Sequence, residues 1–130
     1  MSPIIMVSVF SLFVALVMYS LGAVGAFRAK AVTKKHVTYL WIGFAFDVIA
    51  TAGMAIEAGG VVVSPLSGLL HTVIAFAAMF GMLAAAVAAT QAVSKAQDAA
   101  RAAVARWIIW PWGLWVIMFV WGFATRGPRG

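Results

Sequence analysis

One acidic side chain lies deep inside an apolar stretch of this sequence. Residues 36–57, HVTYLWIGFAFDVIATAGMAIE, are about as long as one bilayer crossing, and Asp47 lies near their middle. Ionisable residues inside membrane helices often belong to proton or cation pathways. The same carboxylate can instead form a hydrogen-bonded tie that fixes helix packing. Both hypotheses require Asp47 to face the interior of a helical bundle.

The sequence offers few hydrogen-bond partners for this carboxylate. Thr51 lies one helical turn further along, and Tyr19 can reach it from the preceding apolar segment. Glu57 lies near the outer boundary of the segment, where we expect a solvated helix-end residue or a member of a polar pathway. His71 follows in the next apolar segment, where it can pair with Glu57 or hydrogen-bond a backbone carbonyl. These residues form the candidate intramembrane polar site.

Two histidines in a helical bundle raise the question of haem. His36 is predicted at the inner boundary of the membrane and His71 in its outer half, so their depths differ by roughly 20 Å at about 1.5 Å of rise per residue. One haem cannot be ligated by both within a single copy. We therefore predict no bound cofactor, and ligation by one histidine, or ligation shared with a partner chain, is the alternative.

Several classes of chemistry are excluded or disfavoured by residue content. The chain has no cysteine, which excludes disulfides, thiolate zinc sites and iron–sulfur clusters. The sequence shows no nucleophile–base arrangement, phosphate-binding loop or metal-ligand spacing. We predict neither a catalytic site nor a metal site, and hence no enzyme.

The composition is that of a membrane protein. Of 130 residues, 65% are hydrophobic and only 9% charged, with a mean hydropathy of +1.08, whereas soluble domains are about a quarter charged. The net charge is +6. Because the basic residues lie between apolar segments, this charge indicates membrane orientation and not a nucleic-acid partner.

Four apolar segments are long enough to cross a bilayer: residues 4–27, 37–57, 66–93 and 107–124. Within lipid the backbone must satisfy its own hydrogen bonds. We predict a single all-α domain, a four-helix transmembrane bundle. Pro111 is expected to kink the last helix or to mark where its interfacial part meets its spanning part, and Asp98 is expected to be an N-cap before it.

Basic residues predict the orientation of these segments. The two links predicted on one side carry Arg28, Lys30, Lys34, Lys35, Lys95, Arg101 and Arg106, and the other side carries Arg126 and Arg129. Since cytoplasmic links are enriched in Lys and Arg, both termini are predicted on the periplasmic or extracellular side. The expected location is the bacterial cytoplasmic (inner) membrane.

The third segment carries small residues at intervals of four: Ala77, Gly81, Ala85 and Ala89. Ridges of small side chains let membrane helices approach closely. We predict that this ridge packs against another helix. It also motivates the prediction that the protein forms a homo-oligomer or joins a larger membrane complex.

The second segment resembles the HsmA-like family of small bacterial membrane proteins. The residues that carry the resemblance are Lys35, His36, Trp41, Gly43, Asp47, Thr51 and Met54. The specific part is the spacing from His36 through Trp41 and Gly43 to Asp47. The resemblance implies a four-helix membrane fold and no established activity.

Three functions follow as hypotheses. The first is an accessory or structural subunit without a catalytic site. The alternative is a proton-coupled small transporter or proton-conducting protein that uses Asp47. A second alternative is a redox membrane subunit that binds haem or quinone.

Overall fold

The structure, a computed structural model, describes residues 3–58 and 66–126, and all regular structure within them is helical. The side chains of residues 54, 57–58, 66–72 and 122–126 lie outside the described set. In chain order the helices are α1 (Pro3–Ala29), α2 (Lys34–Ala58), α3 (Leu66–Ser94), α4 (Asp98–Trp107) and α5 (Ile109–Arg126). The predicted all-α class is confirmed.

In the described part of the chain, three helical stretches are long and apolar enough to cross a membrane. They are Pro3–Ala29, Val73–Ser94 and the combined stretch Asp98–Trp121. Their outer surfaces carry large apolar side chains, such as Phe10, Phe80 and Ile117, which are 66%, 56% and 63% exposed. An apolar surface of this kind suits lipid and not water. α2 is not among the three, and part of its C-terminal half lies outside the described side chains.

The helices form a closed bundle. α2 packs against α1 and α3, and α5 packs against the same two helices. α2 and α5 therefore lie on a diagonal, and among the described residues none of their Cα atoms come within 8 Å of each other. A side chain that joins α2 to α5 must cross the interior of the bundle.

The most extensive helix pair is α1 and α2. A Cβ added at Gly22 would lie 2.9 Å from the Leu40 side chain, and one added at Gly43 would lie 2.7 Å from the Tyr19 ring. Glycine is therefore required at both positions for this approach. The buried face of α1 is made mostly of small residues, namely Ser8, Ser11, Ala15, Tyr19, Gly22, Ala23 and Ala26.

The predicted ridge of α3 is used largely inside the fold. Ala85 and Ala89 are fully buried, and a Cβ added at Gly81 would lie 3.1 Å from the Cβ of Pro111 on α5. Ala77 is exposed, and its neighbour Ala78 is buried in its place. Toward the N-terminal end of α3, the buried face of the helix therefore passes through Ala78 and not through Ala77.

Pro111 accounts for the interruption between α4 and α5. Proline has no N–H to donate to the carbonyl of Trp107, four residues earlier, and the helix is interrupted at Ile108. The N–H groups of Ile108 and Trp112 still bond carbonyls four residues back, at 2.9 and 3.2 Å. The chain therefore keeps a helical conformation across the interruption.

The start of α4 differs from the prediction. Asp98 is the first helical residue, and Gln97 occupies the N-cap position without a side-chain capping bond. The prediction of Asp98 as N-cap was wrong by one residue. The preceding turn explains the shift. The N–H groups of Ala96 and Gln97 bond the carbonyls of Val93 and Ala92, which is a Schellman ending that places Ala96 at a φ of 50°.

Candidate functional site

The Asp47 carboxylate is buried at the centre of the bundle, where three helices meet. Its side chain projects from α2, and the residue is 4% exposed. The Tyr19 hydroxyl of α1 donates to Oδ2 over 2.8 Å, and the Trp115 indole N–H of α5 donates to the same oxygen over 3.1 Å. One carboxylate oxygen thus joins α1, α2 and α5.

The position of the Tyr19 hydroxyl follows from Gly43. The absence of a side chain at Gly43 allows the Tyr19 ring to lie directly against the α2 backbone. Asp47 lies one turn further along α2, on the same face as Gly43. The ring therefore lies over Gly43 while its hydroxyl reaches the carboxylate. Tyr19 itself is fully buried.

Trp115 reaches Asp47 across the diagonal of the bundle. Its ring packs edge-on against Tyr19, with centroids 5.2 Å apart and an interplanar angle of 81°. It stacks on Phe119 at 5.6 Å, and Phe119 in turn contacts Phe13 edge-on at 5.4 Å. These aromatic contacts hold the Trp115 ring in the apolar interior, where hydrogen bonds are electrostatically stronger than in water.

Thr51 lies one turn from Asp47 on α2, on the same face of the helix. Its hydroxyl donates to Sδ of Met79 on α3 over 3.9 Å. Thr51 therefore neighbours the carboxylate along α2 while its own hydrogen bond joins α2 to α3.

The structure brings together part of the predicted polar site. Tyr19 donates a hydrogen bond to Asp47, and Thr51 lies one turn from Asp47 on α2 with its hydroxyl bonded to Met79. Glu57 and His71 lie on α2 and α3, and their side chains are outside the described set. The pairing of Glu57 with His71 therefore stays a prediction.

Trp115 is the functional residue that the sequence analysis missed. A buried indole N–H needs an acceptor, and Trp115 lies well inside the last apolar segment, away from the ends where tryptophan is expected. Asp47 is the one acid within an apolar segment at comparable depth. A tryptophan and an acid at similar depth in two apolar segments were therefore the sequence feature that pointed to this hydrogen bond.

No cation balances Asp47 within the described residues. The one ion pair there joins Arg101 and Asp98, over 3.3 Å at the end of the bundle. Neutral donors stabilise an ionised carboxylate by hydrogen bonding but supply no countercharge. A protonated carboxyl group would instead need an acceptor for its own O–H. Chemically, the centre can hold the carboxylate in place or exchange one proton.

Two further indoles tie helices together. The Trp112 indole of α5 donates to Ser20 of α1 over 3.1 Å, and the Trp41 indole of α2 donates to Thr90 of α3 over 2.8 Å. The Thr90 hydroxyl in turn donates a hydrogen bond to the carbonyl of Ala86 over 2.7 Å. With Asp47, these contacts connect α1 to α2, α1 to α5 and α2 to α3 by side-chain hydrogen bonds.

His36 is a capping residue at the start of α2. Its Nδ1 accepts from the N–H of Thr33 over 3.1 Å and lies 3.1 Å from the Thr33 hydroxyl, an arrangement that resembles a capping box. A Cβ added at Gly25 of α1 would lie 3.1 Å from Nε2. Burial, followed by the charge of neighbouring Lys35, lowers the pKa of the His36 imidazole below its ordinary 6.5.

The geometry of His36 bears on the haem hypothesis. One ring nitrogen is occupied by Thr33, and the other packs against α1. Haem ligation by His36 would require the ring to leave both contacts. Among the described residues, no group of three His, Cys, Asp or Glu side chains could hold a metal ion.

Comparisons with protein-family models, curated proteins and solved structures found no match to this chain. The resemblance to the HsmA-like family therefore stays a prediction.

Removal of the Tyr19 hydroxyl tests the tie at Asp47. We expect Tyr19→Phe to lower the free energy of unfolding in detergent by about 0.6 kcal/mol, with about 1.7 kcal/mol as an upper bound for such membrane hydrogen bonds. The matched control is Tyr39→Phe, because Tyr39 is the second of two tyrosines and its hydroxyl makes no hydrogen bond to a described residue. Equal effects of the two substitutions would contradict the tie.

The lowered pKa of His36 predicts a pH dependence of stability. Because the folded-state pKa lies below the unfolded value, the unfolded chain binds more protons as the pH falls below about 6.5. The stability contributed by neutral His36 is therefore complete above that pH and decreases below it. We expect thermal melting in detergent to show this decrease between pH 7.5 and 5.5.

The control for this experiment is His36→Gln. Glutamine is a favoured residue at this capping position and does not titrate. The variant should fold, and its melting temperature should fall less over the same pH range. A wild-type curve parallel to that of the variant would show that His36 does not titrate on unfolding.

Proposed function

We propose that this chain is a multi-pass protein of the bacterial inner membrane that acts by packing, as an accessory or structural subunit, and not by catalysis. In this proposal four segments cross the bilayer and both termini face the periplasm. The protein assembles with copies of itself or within a larger membrane complex.

Three features of α2 support a fourth crossing. Its 25 residues extend about 37 Å, longer than the hydrocarbon core of about 30 Å. The outward side chains Val48, Ile49 and Ile56 are apolar and 41%, 47% and 67% exposed. Asp47 faces inward, so the insertion cost of a central aspartate, about +2.5 to +3.5 kcal/mol, is offset by hydrogen bonds inside the bundle.

The distribution of cations supports the orientation. The link that joins α1 to α2 contacts α4 through Val32 and Arg101, so the seven basic residues in and beside the α1–α2 and α3–α4 links share one end of the bundle. Two basic residues, Arg126 and Arg129, lie at the C-terminal end of the sequence. Under the positive-inside rule the richer end is cytoplasmic.

The observation that carries the packing role is that two of the protein's own side chains, from two other helices, donate to one oxygen of the buried Asp47 carboxylate. Tyr19 and Trp115 occupy one oxygen of the carboxylate, their rings pack edge-on against each other, and Asp47 is 4% exposed. A substrate would have to displace one of these side chains in order to reach the carboxylate. The geometry therefore favours a tie that holds three helices in register.

A small-residue surface supports assembly. Ala77 and Ala84 are exposed on α3, and their separation of seven residues places them on one face of the helix. Small residues at such spacing permit close approach of another membrane helix. Ala77 is also the ridge residue that the fold itself leaves outside.

Native mass spectrometry of the mildly solubilised protein tests the proposal. We expect a stoichiometric oligomer or complex, and we expect the double variant Ala77→Leu, Ala84→Leu to dissociate it because the added side chains keep the partner helix away. The matched control is Ala45→Leu, Ala52→Leu, an exposed pair with the same spacing on α2. A wild-type chain that isolates only as a monomer would overturn the packing role.

A second candidate function is proton coupling through Asp47. The observation that favours it is the missing countercharge, since no described cation lies within ion-pair distance of the carboxylate. An unbalanced charge at that depth is costly in lipid, and a proton would remove it. Asp47 would then exchange a proton during transport.

Asparagine at position 47 separates the two functions. Its amide oxygen can accept the same two hydrogen bonds, so Asp47→Asn should fold, but it cannot bind a proton. In proteoliposomes under a pH gradient, the packing role predicts equal proton leak for wild type and variant. A proton flux in the wild type that Asp47→Asn abolishes would instead establish the second function.

A further inference from the structure

The two basic links of this protein form one surface. The N–H of Val32 donates to the carbonyl of Arg101 over 3.2 Å, and Nε of Arg101 donates to the carbonyl of Val32 over 2.9 Å. Val32 is fully buried by this contact. The link between α1 and α2 is thereby fixed against α4, although the two are distant in sequence.

Most of the cations on this surface project outward. Six basic side chains there are exposed and form no ion pair with a described residue. They define the basic collar: Arg28, Lys30, Lys34, Lys35, Lys95 and Arg106. The seventh cation, Arg101, is bound to Val32 and to Asp98, which is the one acid in these two links. The collar therefore carries nearly unopposed positive charge.

The collar borders the apolar surface of the bundle. Arg28 directly follows Phe27, which is 46% exposed, and Arg106 is followed by Trp107 and Trp110, which are 36% and 77% exposed. Tryptophan prefers the level of the lipid head groups. The cations thus lie where lipid-facing surface gives way to water, which is the depth of phospholipid phosphates.

We propose that the basic collar binds the phosphates of anionic phospholipids. Clusters of four to eight basic residues next to a membrane helix typically bind anionic lipid, and the collar brings together cations from two separate links. A nucleic acid would have to approach along the membrane surface, where anionic head groups already compete for the same cations. The inference relies on the membrane embedding proposed above but not on the packing role.

Lipid titration followed by native mass spectrometry tests this inference. Delipidated protein in detergent is titrated with phosphatidylglycerol or phosphatidylcholine, and bound lipids are counted for each protein mass. We expect phosphatidylglycerol to bind more tightly, and added salt to weaken its binding. Lys34→Gln, Lys35→Gln should lower its affinity by about fivefold for each lysine removed, which corresponds to about 1 kcal/mol per cation near an anionic surface.

Two further variants distinguish a loss of lipid binding from a folding defect. Lys95→Gln changes the other link and should also weaken phosphatidylglycerol binding. Arg126→Gln, Arg129→Gln removes the basic residues predicted on the opposite side and should leave the binding unchanged.

The inference would be overturned by equal binding of the two lipids, by no effect of the collar variants, or by displacement of phosphatidylglycerol by a single-stranded oligonucleotide at equal phosphate concentration. Displacement by inorganic phosphate alone would also overturn it, because the site would then recognise a free anion and not a lipid. Because lipids are counted on each protein mass, the outcome is independent of whether the chain is a monomer or an assembly.

Discussion

The structure depends on a carboxylate that must find its hydrogen bonds inside the protein. In a bundle with an apolar outer surface, Asp47 cannot turn outward without losing every polar partner. Facing inward, it collects donors from α1 and α5 at one oxygen. Each donor also gains an acceptor that it would otherwise lack. The tie therefore satisfies three buried polar groups at once.

The tie is possible because α1 and α2 approach each other closely. Gly22 and Gly43 leave room for Leu40 and for the Tyr19 ring, and the remaining buried face of α1 is made mostly of small side chains. Dispersion contacts and hydrogen bonds drive helix association in lipid, and this seam supplies both. His36 completes it at one end by capping α2 and packing against Gly25.

The fold class, the inward direction of Asp47 and its pairing with Tyr19 could be predicted from apolar segment length and helical spacing. Trp115 could not be assigned, because its bond depends on how α5 aligns with a helix 68 residues away. The ridge of small residues predicted on α3 includes Ala77, which is exposed in the structure. Residues at intervals of four rotate about 40° per step around a helix of about 3.6 residues per turn. From Ala89 to Ala77 the rotation is therefore about 120°, and Ala78 takes the buried position.

Polar groups are used differently at the two depths of the bundle. At the basic end, water can solvate charge. There a backbone hydrogen bond from Val32 to Arg101 fixes the α1–α2 link against α4, and most of the cations are exposed. At the centre, the donors around Asp47 are neutral, so their hydrogen bonds suit an ionised carboxylate without balancing its charge. A proton on Oδ1 would neutralise that charge and would still leave Oδ2 as an acceptor for both donors. The hydrogen bonds from Tyr19 and Trp115 need only an acceptor oxygen, so the contact between the three helices does not depend on which protonation state Asp47 adopts.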